Sequence, residues 1–216
     1  MPASSAPIGF FRAEEVSALP RPTPERPLRV LLSACLVGIP CGVDGTAYGE
    51  YPHVLLLSRL PNVQATRFCP EESVFGTPRS MPDIHGGNGF DVLDGKVRVL
   101  TDKGDDWTAG FVSAAYEMLR IAQAASIDLA VVQNMSAACG TQVISEGCRF
   151  DTPRRFQRGP GVSTALLLRN GFRVVNALDL RTLDLLLQHL DPSHVLDPTL
   201  VNYDERAWYQ ENFGRR

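Results

Sequence analysis

The chain has 216 residues, 44% of them hydrophobic, a formal net charge of −3 and five cysteines. That length and composition suit one sizeable core; no long apolar run marks a membrane span or a leader, and no Lys/Arg run gives the footprint of a nucleic-acid binder. An odd number of scattered cysteines makes no disulfide framework, so the chain reads as a cytoplasmic protein whose thiols stay reduced and serve ligation, catalysis or burial.

Residues 1–27 carry Pro2, Pro7, Pro20, Pro22, Pro24 and Pro27, which deny regular structure to most of the segment, and they read as an extended arm. From residue 28 the pattern alternates between strand and helix. Leu28-Arg29-Val30-Leu31-Leu32 is a short aliphatic run that predicts a buried strand over 28–34. A short apolar helix is expected near 53–60, and a second strand over 63–68. Asp94-Gly95 is a tight hairpin signal between Asp91-Val92-Leu93 and Lys96-Val97-Arg98-Val99-Leu100. Phe111, Ala114, Ala115, Met118, Leu119 and Ala122 fall three and four apart, as on an amphipathic helix over 105–125.

A buried strand at 129–133, a helix at 162–169, a strand at 172–175 and a helix at 180–190 complete the alternation. The implied fold class is α/β: a single domain with a mostly parallel, three-layer, Rossmann-like sheet and helices on both faces. Residues 28–178 are its body, and 179–216 are a C-terminal helix and arm packing on it or on a second subunit.

The cysteines fall at telling places. Cys35 follows the first strand, Cys69 ends the second, and Cys139 lies in the loop after the 129–133 strand. A free Cys is often a small buried hydrophobe. Three thiols at one sheet edge, where α/β proteins bind ligands, favour ligation instead. With no histidine beside them they suit a soft metal or an iron-sulfur cluster better than a closed structural zinc site. Cys41 and Cys148 end no buried strand and read as spare thiols.

Ser33-Ala34-Cys35-Leu36-Val37-Gly38, Cys69-Pro70-Glu71 with Gly76-Thr77-Pro78-Arg79, the 95–108 region, Ser136-Ala137-Ala138-Cys139-Gly140 and Gly159-Pro160-Gly161-Val162-Ser163-Thr164-Ala165 come in an order that resembles the bacterial domain-of-unknown-function family that includes the thiouracil desulfurases (desulfidases). The resemblance spans roughly 28–176. It implies a 4Fe-4S cluster held by Cys35, Cys69 and Cys139, an open iron that takes the sulfur of a thiocarbonyl, and conversion of 2-thiouracil to uracil and sulfide. Where the family's third motif has a lysine followed by Ser-Pro-Ser-Cys-Gly, this chain has Gln133 and Ala137-Ala138.

Binding C=S to a soft Lewis acid opens its carbon to water. Water then needs a base and the ring nitrogen a proton. Glu71 and Ser136 are the candidates for this catalytic work, against a solvated carboxylate and a turn hydroxyl. For substrate binding, Arg79 suits a carbonyl, or else a surface ion pair. Gly161 and Ser163 offer backbone N–H groups and a hydroxyl to an anion or pyrimidine edge, or else form a turn and helix cap. The expected partner is a small thiolated base or nucleoside, with thiolated RNA disfavoured by the net charge. Two alternatives stay open: a hydrolase or redox enzyme with Cys139 as nucleophile, and a non-catalytic metal or cluster sensor.

Overall fold

The structure, a computed structural model, describes residues 9–49 and 51–214. Four parallel strands form its central sheet in the order β2-β1-β5-β8: β1 (Leu28–Ser33), β2 (Val63–Phe68), β5 (Leu129–Val132) and β8 (Val174–Asn176). β1 is aliphatic throughout because both of its faces are covered; Val30, Leu31 and Leu32 are each 0% exposed. Leu31 faces a core with Phe111, Met118 and Leu167 from helices α4 (Thr108–Ala124) and α5 (Val162–Arg169). Val30 and Leu32 face the opposite core with Val54, Leu57, Leu183 and Leu186 from α1 (Pro52–Leu57) and α6 (Leu180–Leu190). This is the expected three-layer α/β arrangement, and truncating any such fully buried Leu to Ala costs about 2–5 kcal/mol.

Three features depart from the sequence expectation. The arm is not extended throughout: Ala13–Ala18 form a 3-10 helix against α6, with Phe11, Val16 and Leu19 buried. The prolines crowd behind that turn, at 20–27, leaving 13–18 free to coil, while Pro2 and Pro7 lie outside the described residues. Asp94-Gly95 does not close a hairpin. It ends a short helix, α3 (Gly89–Leu93), whose Asn88 cap accepts from Phe90 N–H while Asp91 accepts from Asn88 N–H. That reciprocal capping outweighs the turn signal of Asp94-Gly95.

The third departure is a second, mixed sheet, β4-β3-β6-β7, made of β3 (Pro82–His85), β4 (Arg98–Thr101), β6 (Val143–Glu146) and β7 (Arg155–Arg158). β7 falls within the basic stretch Arg154-Arg155-Phe156-Gln157-Arg158. Its charges suit an edge strand, which they protect from further pairing.

Strand order positions the site. From β1 the chain goes to β2 on one side and later to β5 on the other, so the C-terminal ends of β1 and β5 flank a topological switch point where loops diverge and leave a crevice. The thiol-bearing segments enter that crevice.

Candidate active site

Cys35 sits in a 3-10 turn (Ala34–Val37) that starts directly from β1. Gly38, at φ 85°, reverses the chain so that Ile39 N–H reaches back to Ala34 O and Cys41 N–H donates to Ile39 O. Cys69 is the N-cap of α2 (Pro70–Phe75), its Sγ accepting from Glu72 N–H at 3.5 Å, with Pro70 ready-made for the first helical position. Cys139 lies on the loop leaving β5. There Met135 has a left-handed φ of 54°, and the Ser136 hydroxyl accepts from the Ala138 and Cys139 N–H groups at 3.1 and 3.0 Å.

These segments enclose a cavity of about 230 Å³ lined by Cys35, Cys41, Cys69, Cys139, Glu71, Ser136, Arg79, Gln133 and Arg149, among others. The three expected thiols therefore share one pocket with both expected catalytic side chains. Cys41, read from sequence as a spare thiol, joins them. The signal that could have found it is the tight reversal at Gly38, which returns position 41 to the end of β1. Cys148 is half-buried and does not line the cavity.

Glu71 is 8% exposed and hydrogen-bonded on both oxygens. Ser136 Oγ donates to its Oε1 at 2.8 Å, and Arg79 donates to its Oε2 from Nη2 at 3.0 Å and from Nε at 3.3 Å. Arg79 also donates to the carbonyls of Cys41 (3.1 Å) and Gly76 (3.0 Å) and to Thr77 Oγ1 (3.1 Å). With its donors engaged inside the protein and its side chain 3% exposed, this guanidinium holds Glu71 and the Cys41 loop in place. Burial works against the cation, but the charge and hydrogen bonds of Glu71 outweigh it and leave its pKa above the ordinary arginine value.

Gly161 and Ser163 lie elsewhere. Gly161 is the N-cap of α5, and a Cβ there would stand 2.6 Å from the carbonyl oxygens of Ala137 and Ala138. Val162 and Ser163 N–H groups donate to Ala137 O and Ala138 O, and Thr164 Oγ1 donates to Cys139 O at 2.9 Å. The N–H groups expected to bind a ligand anchor the Cys139 loop instead, and neither residue lines the cavity. The sequence shows a helix start but not what its donors meet.

The surroundings favour the uncharged thiol at Cys41, Cys69 and Cys139. Hydrogen bonding to the Cys35 thiol raises the Cys41 pKa to about 12. Cys69 is pushed up by its bond to Cys41 and by burial, and Cys139 by burial first. A nucleophilic cysteine needs the opposite shift and a base, and the lining holds no His or Lys. Among the described residues, no group of three or more His, Cys, Asp or Glu side chains is arranged to hold a metal ion. Four cysteines around one cavity match the all-thiolate donor set of an iron-sulfur cluster.

Sheet, crevice and lining define a class: an α/β protein with a thiol-walled pocket at its switch point, beside a coupled carboxylate and hydroxyl. Within that class the chain belongs to the 2-thiouracil desulfurase family, whose profile matches residues 30–179. It is 32% identical over 152 residues, 70% of this chain and 97% of the relative, to the uncharacterized protein YbbK of Bacillus subtilis. Among solved structures it resembles the 4Fe-4S-dependent thiouracil desulfidase TudS, with a TM-score of 0.55 and 30% identity over 69% of this chain and 90% of that one.

Proposed function

We propose that this protein is a 4Fe-4S-dependent desulfidase that converts a thiolated pyrimidine, in the simplest case 2-thiouracil, to the oxo base and sulfide. The observation that carries the reading is the Ser136–Glu71 hydrogen bond of 2.8 Å on the wall of the cavity lined by four thiols. Cys35, Cys69 and Cys139 are the residues assigned to hold the cluster. When bound, it supplies a soft Lewis acid that draws electron density from the thiocarbonyl.

The protein's own part is to position the base and move protons. Glu71 accepts the proton of the attacking water. Ser136, already donating to Glu71, passes a proton between that carboxylate and the ring nitrogen beside the reacting carbon. Arg79 fixes the carboxylate in the wall of the cavity. Met81, Pro82 and Ala34 give the pocket apolar surface for a flat ring. The direct test is sulfide release from 2-thiouracil by anaerobically reconstituted protein. A brown, fully loaded protein that releases none would sink the catalytic reading.

A further inference from the structure

A buried polar atom without a partner is uncommon in a folded protein and calls for an explanation. Among the described residues, Gln133 Oε1, His85 Nε2, Ser163 Oγ and Tyr203 OH are buried with no hydrogen-bond partner. Of these residues Gln133 alone lines the thiol cavity. The charged groups on the same wall are spent inside the protein: Arg79 on Glu71 and three backbone or side-chain oxygens, and Arg149 on Asp83 at 2.6 Å. Asn134 accepts from Thr141 Oγ1 at 3.3 Å, and the Tyr48 hydroxyl accepts from Val43 N–H at 3.3 Å. The Gln133 amide is the polar group the protein has not used.

Its backbone is well placed to present it. Gln133 is the first residue beyond β5, and its N–H donates to Ser33 Oγ, at the end of β1, at 3.1 Å. The left-handed turn at Met135 then brings Ser136 to the same wall. One short loop thus carries the catalytic hydroxyl and, three residues earlier, a primary amide, which sets an acceptor and a donor side by side. The complement of that pair on a pyrimidine is a ring N–H next to a carbonyl. A neutral amide meets such an uncharged edge without the cost of burying a charge.

Building on the proposed function, we infer that Gln133 selects the substrate ring: its Oε1 accepts from N3–H of a 2-thiopyrimidine, and its Nε2 donates to the adjacent C4 carbonyl. The contact is non-covalent and moves no proton. Because it is made before and during reaction alike, its loss raises KM and spares kcat.

The test uses anaerobically reconstituted wild type, Gln133→Leu and Tyr51→Phe, the last because the Tyr51 phenol lies beside the Gln133 amide. Iron content is measured, with kcat and KM for 2-thiouracil and 3-methyl-2-thiouracil, and equilibrium dialysis follows uracil and 3-methyluracil. Wild type is expected to show a KM about 10-fold or more higher for the methylated ring, the worth of one good hydrogen bond. Gln133→Leu should keep its iron, hold kcat for 2-thiouracil within about 3-fold of wild type, and treat the two rings alike in KM and in dialysis. Equal KM values in wild type would overturn the inference with no variant needed. So would a preference that survives in Gln133→Leu, or one that Tyr51→Phe abolishes equally, since the amide would then serve the phenol. If sulfide is released in any of these cases, the proposed function stands without it. If wild type releases none, the proposed function fails, and dialysis of uracil against 3-methyluracil still decides for or against Gln133; a wild type that also binds neither ring overturns both.

Discussion

The Ser136 hydroxyl and the Glu71 carboxylate, 65 positions apart in sequence, meet at 2.8 Å, while the other carboxylate oxygen is held by Arg79 at 3.0 Å. The carboxylate is thus oriented from both sides at the edge of the thiol cavity. Glu71→Gln keeps the shape and removes the base. It should leave iron content unchanged and lower kcat by about 10²–10⁴-fold, the range for losing a general acid-base group. Ser136→Ala should fall in the same direction while keeping iron. If Glu71→Gln retains wild-type turnover in a sulfide-release assay, another group is the base.

Arg79 offers a separate test of positioning. Arg79→Ala leaves a buried carboxylate without its partner and should cost about 3–5 kcal/mol in denaturant unfolding. Arg79→Lys restores a charge but not the fork that serves Glu71 and the Cys41, Gly76 and Thr77 oxygens together. It should recover part of the stability and little of kcat. Full recovery of kcat by lysine would mean that charge alone suffices.

Cys139→Ala should abolish cluster binding, whereas Cys148→Ala should leave iron and sulfide release at wild-type levels. Cys139 is 5% exposed in the pocket and Cys148 lies outside it. Iron-to-protein ratio after anaerobic reconstitution reads both variants. Equal loss in the two would show that the ligand set is wrong.

Much of this arrangement is legible in the sequence. The apolar run at 28–33 marks a strand because both of its faces are buried, the 63–68 segment is a half-exposed edge strand, and Cys35 and Cys69 stand at their ends. The second sheet is not legible. Its strands have four residues each, and Arg155-Phe156-Gln157-Arg158 carries too little apolar character to announce pairing. Cys41 escapes for a related reason: its place depends on a backbone reversal at Gly38, not on a periodic pattern. Gly161 and Ser163 show the converse, since the helix start is visible and the partner of its donors is tertiary.

His53 gives a pH prediction with a defined sign. Burial lowers its pKa below the ordinary 6.5, against the pull of Asp184, whose Oδ1 lies 3.7 Å from Nε2 and also meets His194 at 2.6 Å; His194 pushes in the same direction as burial, and Asp197 opposes it. The unfolded chain therefore binds this proton more tightly than the native one. The stability from keeping His53 neutral is present above about pH 6.5 and is lost as pH falls through its lower native value. Between about pH 7 and pH 5, wild type should lose more Tm than His53→Gln. Equal losses in a thermal melt series would remove His53 from the account.

Substrate size can be argued from where the arginines go. An RNA substrate would need phosphate contacts from a free basic stripe and an affinity that falls steeply with salt. The cluster at 149–158 is already engaged. Arg149 pairs with Asp83 at 2.6 Å, Arg155 with Glu146 at 3.0 Å, Arg154 donates to Ser145 Oγ at 2.7 Å, and Arg158 donates to the Phe213 carbonyl. Three of the four side chains sit on or next to the edge strand β7, and its pairing with β6 holds them in place rather than in a loose loop. The cavity itself, about 230 Å³, suits one flat base more than a paired strand. Free 2-thiouracil or its nucleoside should therefore be turned over at a rate that changes little between low and physiological salt. Desulfuration of thiolated tRNA much faster than of the free base, with a steep salt dependence abolished in Arg154→Ala/Arg155→Ala, would reverse this assignment.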